Sequence, residues 1–138
     1  MNYVVIDTNV IVSALLATNR KISVPFSVLE AVFQGKITPV ITQAIMDEYV
    51  NVLNREKFGF DKTLVKVVLS ELEKQAVKIN PPVTNITLPD SKDKCFYEAA
   101  LVYENIGGLL VTGNIKHFPD CPFAVTPTKL KERLGWQP

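Results

Sequence analysis

The chain has 138 residues, of which 47% are hydrophobic and 21% are charged, and its net charge is +1. This length supports one hydrophobic core, so we expect a single domain over residues 1–138. The composition excludes a disordered or strongly basic chain, so any nucleic-acid binding must come from a local patch of charge. No apolar run reaches the roughly 18 residues that span a bilayer, and no charged leader precedes the first strand. We therefore expect a cytoplasmic protein with no membrane partner.

Short apolar runs alternate with helical patterns along the chain. Strands separated by helices predict a parallel sheet with right-handed crossovers, and therefore an α/β fold. Thr8, Ser23, Thr42 and Asp90 are the predicted helix N-caps. In chain order the predicted elements are strand 2–6, helix 8–17, helix 23–34, strand 37–41, helix 42–54, helix 62–78, extended connector 83–89, helix 90–105, strand 109–111, strand 123–125 and helix 127–134.

Asp7 stands directly after the apolar run of residues 4–6. Such a run is typical of a strand that is buried on both faces of a parallel sheet. The carboxyl end of a buried strand is where open α/β sheets bind their ligands. Packing gives no reason for a charge at this place, so Asp7 is predicted to hold a metal ion or a reacting group.

Glu48 lies within the apolar face of the predicted third helix. That face is formed by Ile41, Ala44, Ile45 and Val52. A carboxylate on a core-facing side is costly unless it is paired or bound to a cation. Two interpretations follow: a salt bridge to a nearby Lys or Arg, or a metal ligand at the wall of a cleft. We favour the second.

Asp93 and Asn114 are two further polar residues that fit such a cleft. Asp93 lies in the first turn of the predicted fifth helix, where it either caps the helix or points inward while Asp90 caps it. Asn114 follows the buried strand 109–111 and Gly113, and it is either an ordinary turn residue or an oxygen ligand at the same sheet edge as Asp7.

The chemistry of these residues favours a hard cation. Asp and Glu oxygens are the ligands that Mg²⁺ and Mn²⁺ prefer, and a cluster without His or Cys argues against Zn²⁺. A bound Mg²⁺ or Mn²⁺ would suit the cleavage of a phosphodiester, which needs an activated water and charge neutralisation at the phosphate. His117 is the single histidine of the chain, and we interpret it as a surface loop residue.

The spacing of Asp7-Thr8-Asn9, Glu48, Asp93 and Thr112-Gly113-Asn114 resembles a PIN domain, in particular the toxin subfamily of toxin–antitoxin systems. The resemblance implies a three-layer α/β/α sandwich with a central parallel sheet and a metal-dependent endoribonuclease. It implies Asp7, Glu48 and Asp93 as catalytic metal ligands for Mg²⁺ or Mn²⁺. The fourth catalytic position, commonly Asp in the family, is Asn114 here. The resemblance also implies an antitoxin partner and often a homodimer.

Residues beside the carboxylates are predicted to bind the RNA substrate. Thr8 and Asn9 would orient the first carboxylate or a water on the metal. Lys116, together with Lys92, Lys94 and His117, would hold the phosphate backbone of single-stranded RNA at the rim of the site. The second helix is more apolar than one core-facing stripe requires, so part of it faces either a partner chain or a neighbouring helix.

Two other classes of protein stay open. A degenerate, non-catalytic PIN domain would bind RNA or protein without cleaving it, and Asn114 is the reason to consider this. An aspartate-nucleophile phosphatase would use Asp7 in a DxDx[TV] loop, but Asn9 replaces the required second Asp and Glu48 would have no role. Asp120 could compensate for Asn114, although it is better interpreted as a plain loop residue.

Overall fold

The structure is a computed structural model that describes residues 2–135, so the predicted domain of residues 1–138 extends past the described residues at both ends. Its centre is a five-stranded sheet in which every pairing is parallel. The strand order across the sheet is β3-β2-β1-β4-β5. The strands are β1 (Tyr3–Ile6), β2 (Thr38–Ile41), β3 (Val77–Lys78), β4 (Leu109–Val111) and β5 (Ala124–Val125).

Six helices cover the sheet and complete a three-layer α/β/α sandwich, as predicted. They are α1 (Thr8–Leu16), α2 (Val24–Phe33), α3 (Gln43–Leu53), α4 (Lys62–Gln75), α5 (Lys94–Val102) and α6 (Pro127–Leu134). Helix α5 packs on β1, β2 and β4, whereas α2 packs against α1, α4 and α6. Within residues 2–135, none of the helices has the length and hydropathy that a membrane crossing requires.

The centre of the sheet explains why the apolar strands are so uniform. Residues 4–6 of β1 and residues 109–111 of β4 are buried, because neighbouring strands flank them and helices cover them. Val5 lies level with Leu110 and Ile6 with Val111. Strands covered on both faces read as continuous hydrophobic runs, and this pattern made them predictable.

The chain changes direction across the sheet between β1 and β4. From β1 it passes outward through β2 to β3, and it then returns to the other side of β1 to form β4 and β5. Such a switch point opens a crevice at the carboxyl ends of the two strands. The residues that follow Ile6 and Val111 therefore meet at one place.

Two predicted helices differ from the structure. The fourth helix ends at Gln75 rather than residue 78, because Val77 and Lys78 pair with β2 as a short edge strand. The predicted fifth helix is divided into the 3₁₀ turn Ser91–Asp93, α5, and the 3₁₀ turn Glu104–Ile106. A two-residue strand and a helix broken into short turns carry too little periodicity to be read from sequence.

The N-caps agree with the sequence at Ser23 and Thr42, whose hydroxyls accept hydrogen bonds from the backbone N–H three residues later. Thr8 was wrongly predicted as a cap, because it is the first helical residue of α1 and Asp7 occupies the cap position. The Asp7 side chain makes no capping hydrogen bond. Its carboxylate is free to face the switch point.

Candidate active site

Asp7 is fixed at the switch point by hydrogen bonds with β4, with the residue that follows β4, and with α1. Its backbone N–H donates to the Val111 carbonyl at 2.9 Å and so extends the pairing of β1 with β4. Its side chain is only 4% exposed. The carboxylate oxygen Oδ2 accepts a hydrogen bond from the Thr112 hydroxyl at 2.8 Å and one from the Asn9 amide at 3.3 Å. The carboxylate is therefore held in one orientation before any ligand arrives.

Thr112 and Asn9 form the brace that holds this carboxylate. The Thr112 Oγ1 also accepts a hydrogen bond from the backbone N–H of Asn114 at 3.0 Å. The Asn9 Oδ1 accepts one from the Gly113 N–H at 2.9 Å. Sequence reasoning gave Thr112 no role of its own. Thr112 could have been singled out from the sequence, because its hydroxyl directly follows a buried strand.

Replacing Thr112 with Val should destabilise the protein. Thr112 is fully buried, and valine has the same shape but neither donates to Asp7 nor accepts from Asn114. Leaving such buried groups without partners costs about 2 kcal/mol, which lowers the melting temperature by roughly 6 °C. Thr112→Ser keeps the hydroxyl and should lose about half as much. If Thr112→Val melts at the wild-type temperature, the hydrogen bonds of Thr112 do not contribute to the stability of the folded protein.

Glu48 approaches the same place from α3. Its helix is positioned by the adjacent Tyr49, which is buried and donates its hydroxyl to the Ile6 carbonyl at 2.5 Å. Ala44 is exposed, so the predicted apolar stripe was wrong at that position, and Glu48 lies at the margin of the buried face rather than in its middle. In the described part of the chain Glu48 forms no ion pair, which speaks against the salt-bridge interpretation.

Asp93 comes from the turn that precedes α5. Asp90 caps that turn by accepting a hydrogen bond from the Lys92 N–H at 3.0 Å, whereas Asp93 makes no capping hydrogen bond. The Asp93 side chain is buried, with the whole residue 8% exposed. Of the two roles that the sequence left open, capping therefore falls to Asp90, and Asp93 points inward.

His117 is the largest departure from the sequence interpretation of this region. It is not a plain surface residue, because its Nδ1 lies 3.0 Å from the Asp93 Oδ2 and its ring lines the same cavity. The distance is that of an ion pair, and the contact with His117 opposes the rise that burial causes in the pKa of Asp93. Among the described residues, the buried Thr8 Oγ1 has no hydrogen-bond partner.

One cavity of about 230 Å³ collects these side chains. Its polar lining residues are Asp7, Thr8, Asn9, Glu48, Asp93 and His117. Among the residues described, its wall does not include Asn114, Lys116 or Asp120. Asn114 takes part only through its backbone N–H, and Lys116 and Asp120 are exposed. The structure thus brings together three of the four predicted catalytic residues and both predicted orienting residues.

Burial raises the pKa of both buried carboxylates, and repulsion from Asp7 adds to the rise at Asp93. Burial is the main cause for Asp93, the negative charge of Asp7 adds to it, and the pKa of Asp93 is raised to about 6 although His117 opposes the rise. Burial also raises the pKa of Asp7, against the hydrogen bond from Thr112. For both carboxylates, desolvation is the largest cause of the raised pKa.

Asp93 should make the metal-free protein less stable as the pH rises. Its pKa is 3.8 in a model peptide and about 6 in the folded protein. Between these values the folded state binds more protons than the unfolded chain, so stability falls from about pH 4 to pH 6. Asp93→Asn should therefore melt about 6 °C higher than wild type at pH 7.5 and at the same temperature near pH 4. If Asp93→Asn and wild type melt at the same temperature as each other at both pH values, the pKa of Asp93 is not raised.

The cavity fits a hard divalent cation that takes few ligands from the protein. Within residues 2–135, no three His, Cys, Asp or Glu side chains form a ready-made metal cage. Mg²⁺ and Mn²⁺ sites in phosphate-processing proteins commonly use one or two carboxylates and complete their coordination with water and substrate. The Thr8 hydroxyl oxygen, which has no partner among the described residues, and the Asp93 carboxylate are groups that such an ion or its waters would satisfy.

The fold and the carboxylate cavity agree with the comparison to known families. A PIN domain family model matches residues 3–116, and the chain therefore belongs to the PIN domain family. PIN domains have a nuclease-type fold and are generally metal-dependent ribonucleases. The family prediction from the sequence is confirmed. No curated protein matches the chain.

Proposed function

We propose that this protein is a metal-dependent endoribonuclease that hydrolyses RNA phosphodiester bonds with Mg²⁺ or Mn²⁺. One observation carries the proposal: Asp7, Glu48 and Asp93 come from three separate elements and line a single cavity. Burying two carboxylates side by side is unfavourable for folding, as their raised pKa values indicate. A bound cation and a substrate phosphate would explain why two carboxylates lie together in one cavity.

The residues in and beside the cavity would have different roles in such a site. Asp7, Glu48 and Asp93 would hold the cation, which when bound lowers the pKa of water and neutralises phosphate charge. Thr112 and Asn9 keep the Asp7 carboxylate oriented. Glu48 is half-exposed and has no ion pair among the described residues, so the carboxylate oxygen that does not bind the cation would be free to accept the proton released by an attacking water.

Incubation of the purified protein with an end-labelled single-stranded RNA tests the activity. We expect internal cleavage products with Mn²⁺ or Mg²⁺ and none with EDTA. Intact RNA under all three conditions, with a protein that melts cooperatively, would contradict the proposal.

We also propose that the nuclease is the toxin of a toxin–antitoxin pair. A free ribonuclease endangers the cell that makes it, and an antitoxin that covers the acidic cavity would control it. Expression of the chain alone should arrest growth, Asp7→Asn should not, and co-expression of an adjacent small gene should relieve the arrest. Harmless expression of a folded protein that cleaves RNA in vitro would leave a nuclease without a toxin role.

A homodimer is proposed with less structural support. Helix α2 uses much of its apolar surface inside the molecule, against α1, α4 and α6, while Phe33 at its end is 37% exposed. Neighbouring helices thus account for most of the apolar character that the sequence left open. Analytical ultracentrifugation at micromolar concentration decides the question, and a monomeric mass would remove the homodimer.

A non-catalytic PIN domain is the second candidate. The absence of a three-ligand cage among residues 2–135 and the position of Asn114 outside the cavity favour it. The phosphatase alternative is weaker, because Asn9 is an amide that cannot serve as an acid or base, and its polar atoms are engaged with Asp7 and Gly113. A degenerate domain would bind RNA equally well with Mn²⁺ and with EDTA and would leave it intact.

A further inference from the structure

A second cavity of about 190 Å³ lies beside the candidate active site. Its walls come from the start of α3, from the segment after β3 and from α5. Its polar side chains are those of Thr42, Gln43, Asn80 and Glu98, and Pro81 and Cys95 supply apolar surface. This volume has room for a single small planar group.

The second cavity shares two helices with the acidic one. On α3, Ala44 lines the second cavity and Glu48 lines the first, and residues four apart lie on one face about 6 Å from each other. On α5, Cys95 lines the second cavity and the next residue, Phe96, lines the first. The two cavities therefore adjoin along α3 and α5.

The polar groups of the second cavity mostly accept hydrogen bonds. Glu98 uses Oε2 to accept a bond from the Thr84 N–H, which leaves its Oε1 free. Gln43 uses its Nε2 to donate to Asp47 at 2.8 Å, which leaves its carbonyl oxygen free. Among the described residues that line this cavity there is no Lys or Arg. Such a surface repels phosphate and suits a group that donates hydrogen bonds from a flat ring.

We propose that this cavity binds one base of the RNA substrate, next to the scissile phosphate, and prefers a base with an exocyclic amino group over uracil. The inference rests on the proposed nuclease function, since it assigns a substrate base to the neighbour of that site. Adenine, cytosine and guanine present amino N–H donors to Glu98 and Gln43, whereas uracil presents mainly carbonyl oxygens. Pro81 and Cys95 offer the ring an apolar surface to pack against.

Glu98→Gln is the sharpest test, because Gln can keep its oxygen on the Thr84 N–H and turn an N–H₂ donor into the cavity. A single-stranded RNA of randomised sequence is digested with Mn²⁺, and the cut sites are sequenced. Wild type should disfavour uracil about tenfold at one fixed position beside the cut. Glu98→Gln should abolish or reverse that bias. Glu104→Gln, an exposed change at the opposite edge of the sheet, should keep it.

A binding measurement separates this inference from the nuclease proposal. Asp7→Asn protein is titrated with fluorescent oligoadenylate, oligocytidylate and oligouridylate in Mg²⁺ buffer. The first two should bind about tenfold more tightly than oligouridylate, and the difference should vanish in Asp7→Asn with Glu98→Gln. Equal binding of all three oligomers, or a cleavage bias that Glu98→Gln leaves unchanged, overturns the base pocket. RNA that wild type leaves intact, with the binding preference present, overturns only the nuclease proposal.

Discussion

Asp7→Asn should abolish metal-dependent RNA cleavage while leaving the fold intact. The variant removes a negative charge from the buried end of β1 but keeps an oxygen that accepts the hydrogen bond of Thr112. We expect the initial rate of cleavage with Mn²⁺ to fall by about a thousandfold, equivalent to roughly 4 kcal/mol of transition-state stabilisation. Because burial raises the pKa of Asp7, the neutral Asn should melt at the wild-type temperature or slightly above it without metal.

Asp120→Asn is the matched control for this substitution. Asp120 is exposed, lies outside the described wall of the cavity and has a φ of 57°, a conformation that Asn accepts readily. It should cleave RNA at the wild-type rate. Two outcomes would contradict the assignment: an active Asp7→Asn protein, or an Asp7→Asn protein that fails to fold, which would give this carboxylate a structural role instead.

Glu48→Gln should lower the rate of cleavage by about a hundredfold, or roughly 3 kcal/mol. Its side chain has no ion pair to lose in the described structure, so the melting temperature without metal should not fall. The loss should therefore come from chemistry rather than from unfolding. Single-turnover cleavage of a labelled RNA measures the effect.

Glu30→Gln makes the same chemical change on the exposed surface of α2 and should be as active as wild type. If Glu48→Gln and Glu30→Gln cleave at the same rate, the cavity does not work through Glu48. If only the melting temperature of Glu48→Gln falls, the residue supports the fold instead.

The central strands were predictable because each of them is an unbroken run of apolar residues, which is typical of burial on both faces. Residues 4–6 and 109–111 are covered on both faces, and the order of strands and helices implied a parallel sheet. The edge strand at Val77 was missed because two residues that pair on one side show no period. The division of the predicted fifth helix depends on local turn geometry that periodicity does not report.

The site was predictable where a residue broke a strong pattern. Asp7 follows a buried strand and Asp93 shares a helix start with a separate cap, Asp90, so both stood out. The contacts of His117 with Asp93 and of Thr112 with Asp7 were not predicted, because the partners are distant in sequence. The sequence around a single histidine in a loop does not indicate which carboxylate the histidine contacts in the folded protein.

The central claim is that Asp7, Glu48 and Asp93 form one site for a divalent cation. It is tested most directly by melting the protein during a titration with Mn²⁺. A ligand at about 100 times its dissociation constant stabilises the folded state by about 2.7 kcal/mol, which raises the melting temperature by roughly 8 °C. We predict this rise for wild type and Asp120→Asn, and no rise for Asp7→Asn. A wild-type protein whose melting temperature does not respond to Mn²⁺, or an Asp7→Asn protein that responds equally, would contradict the account.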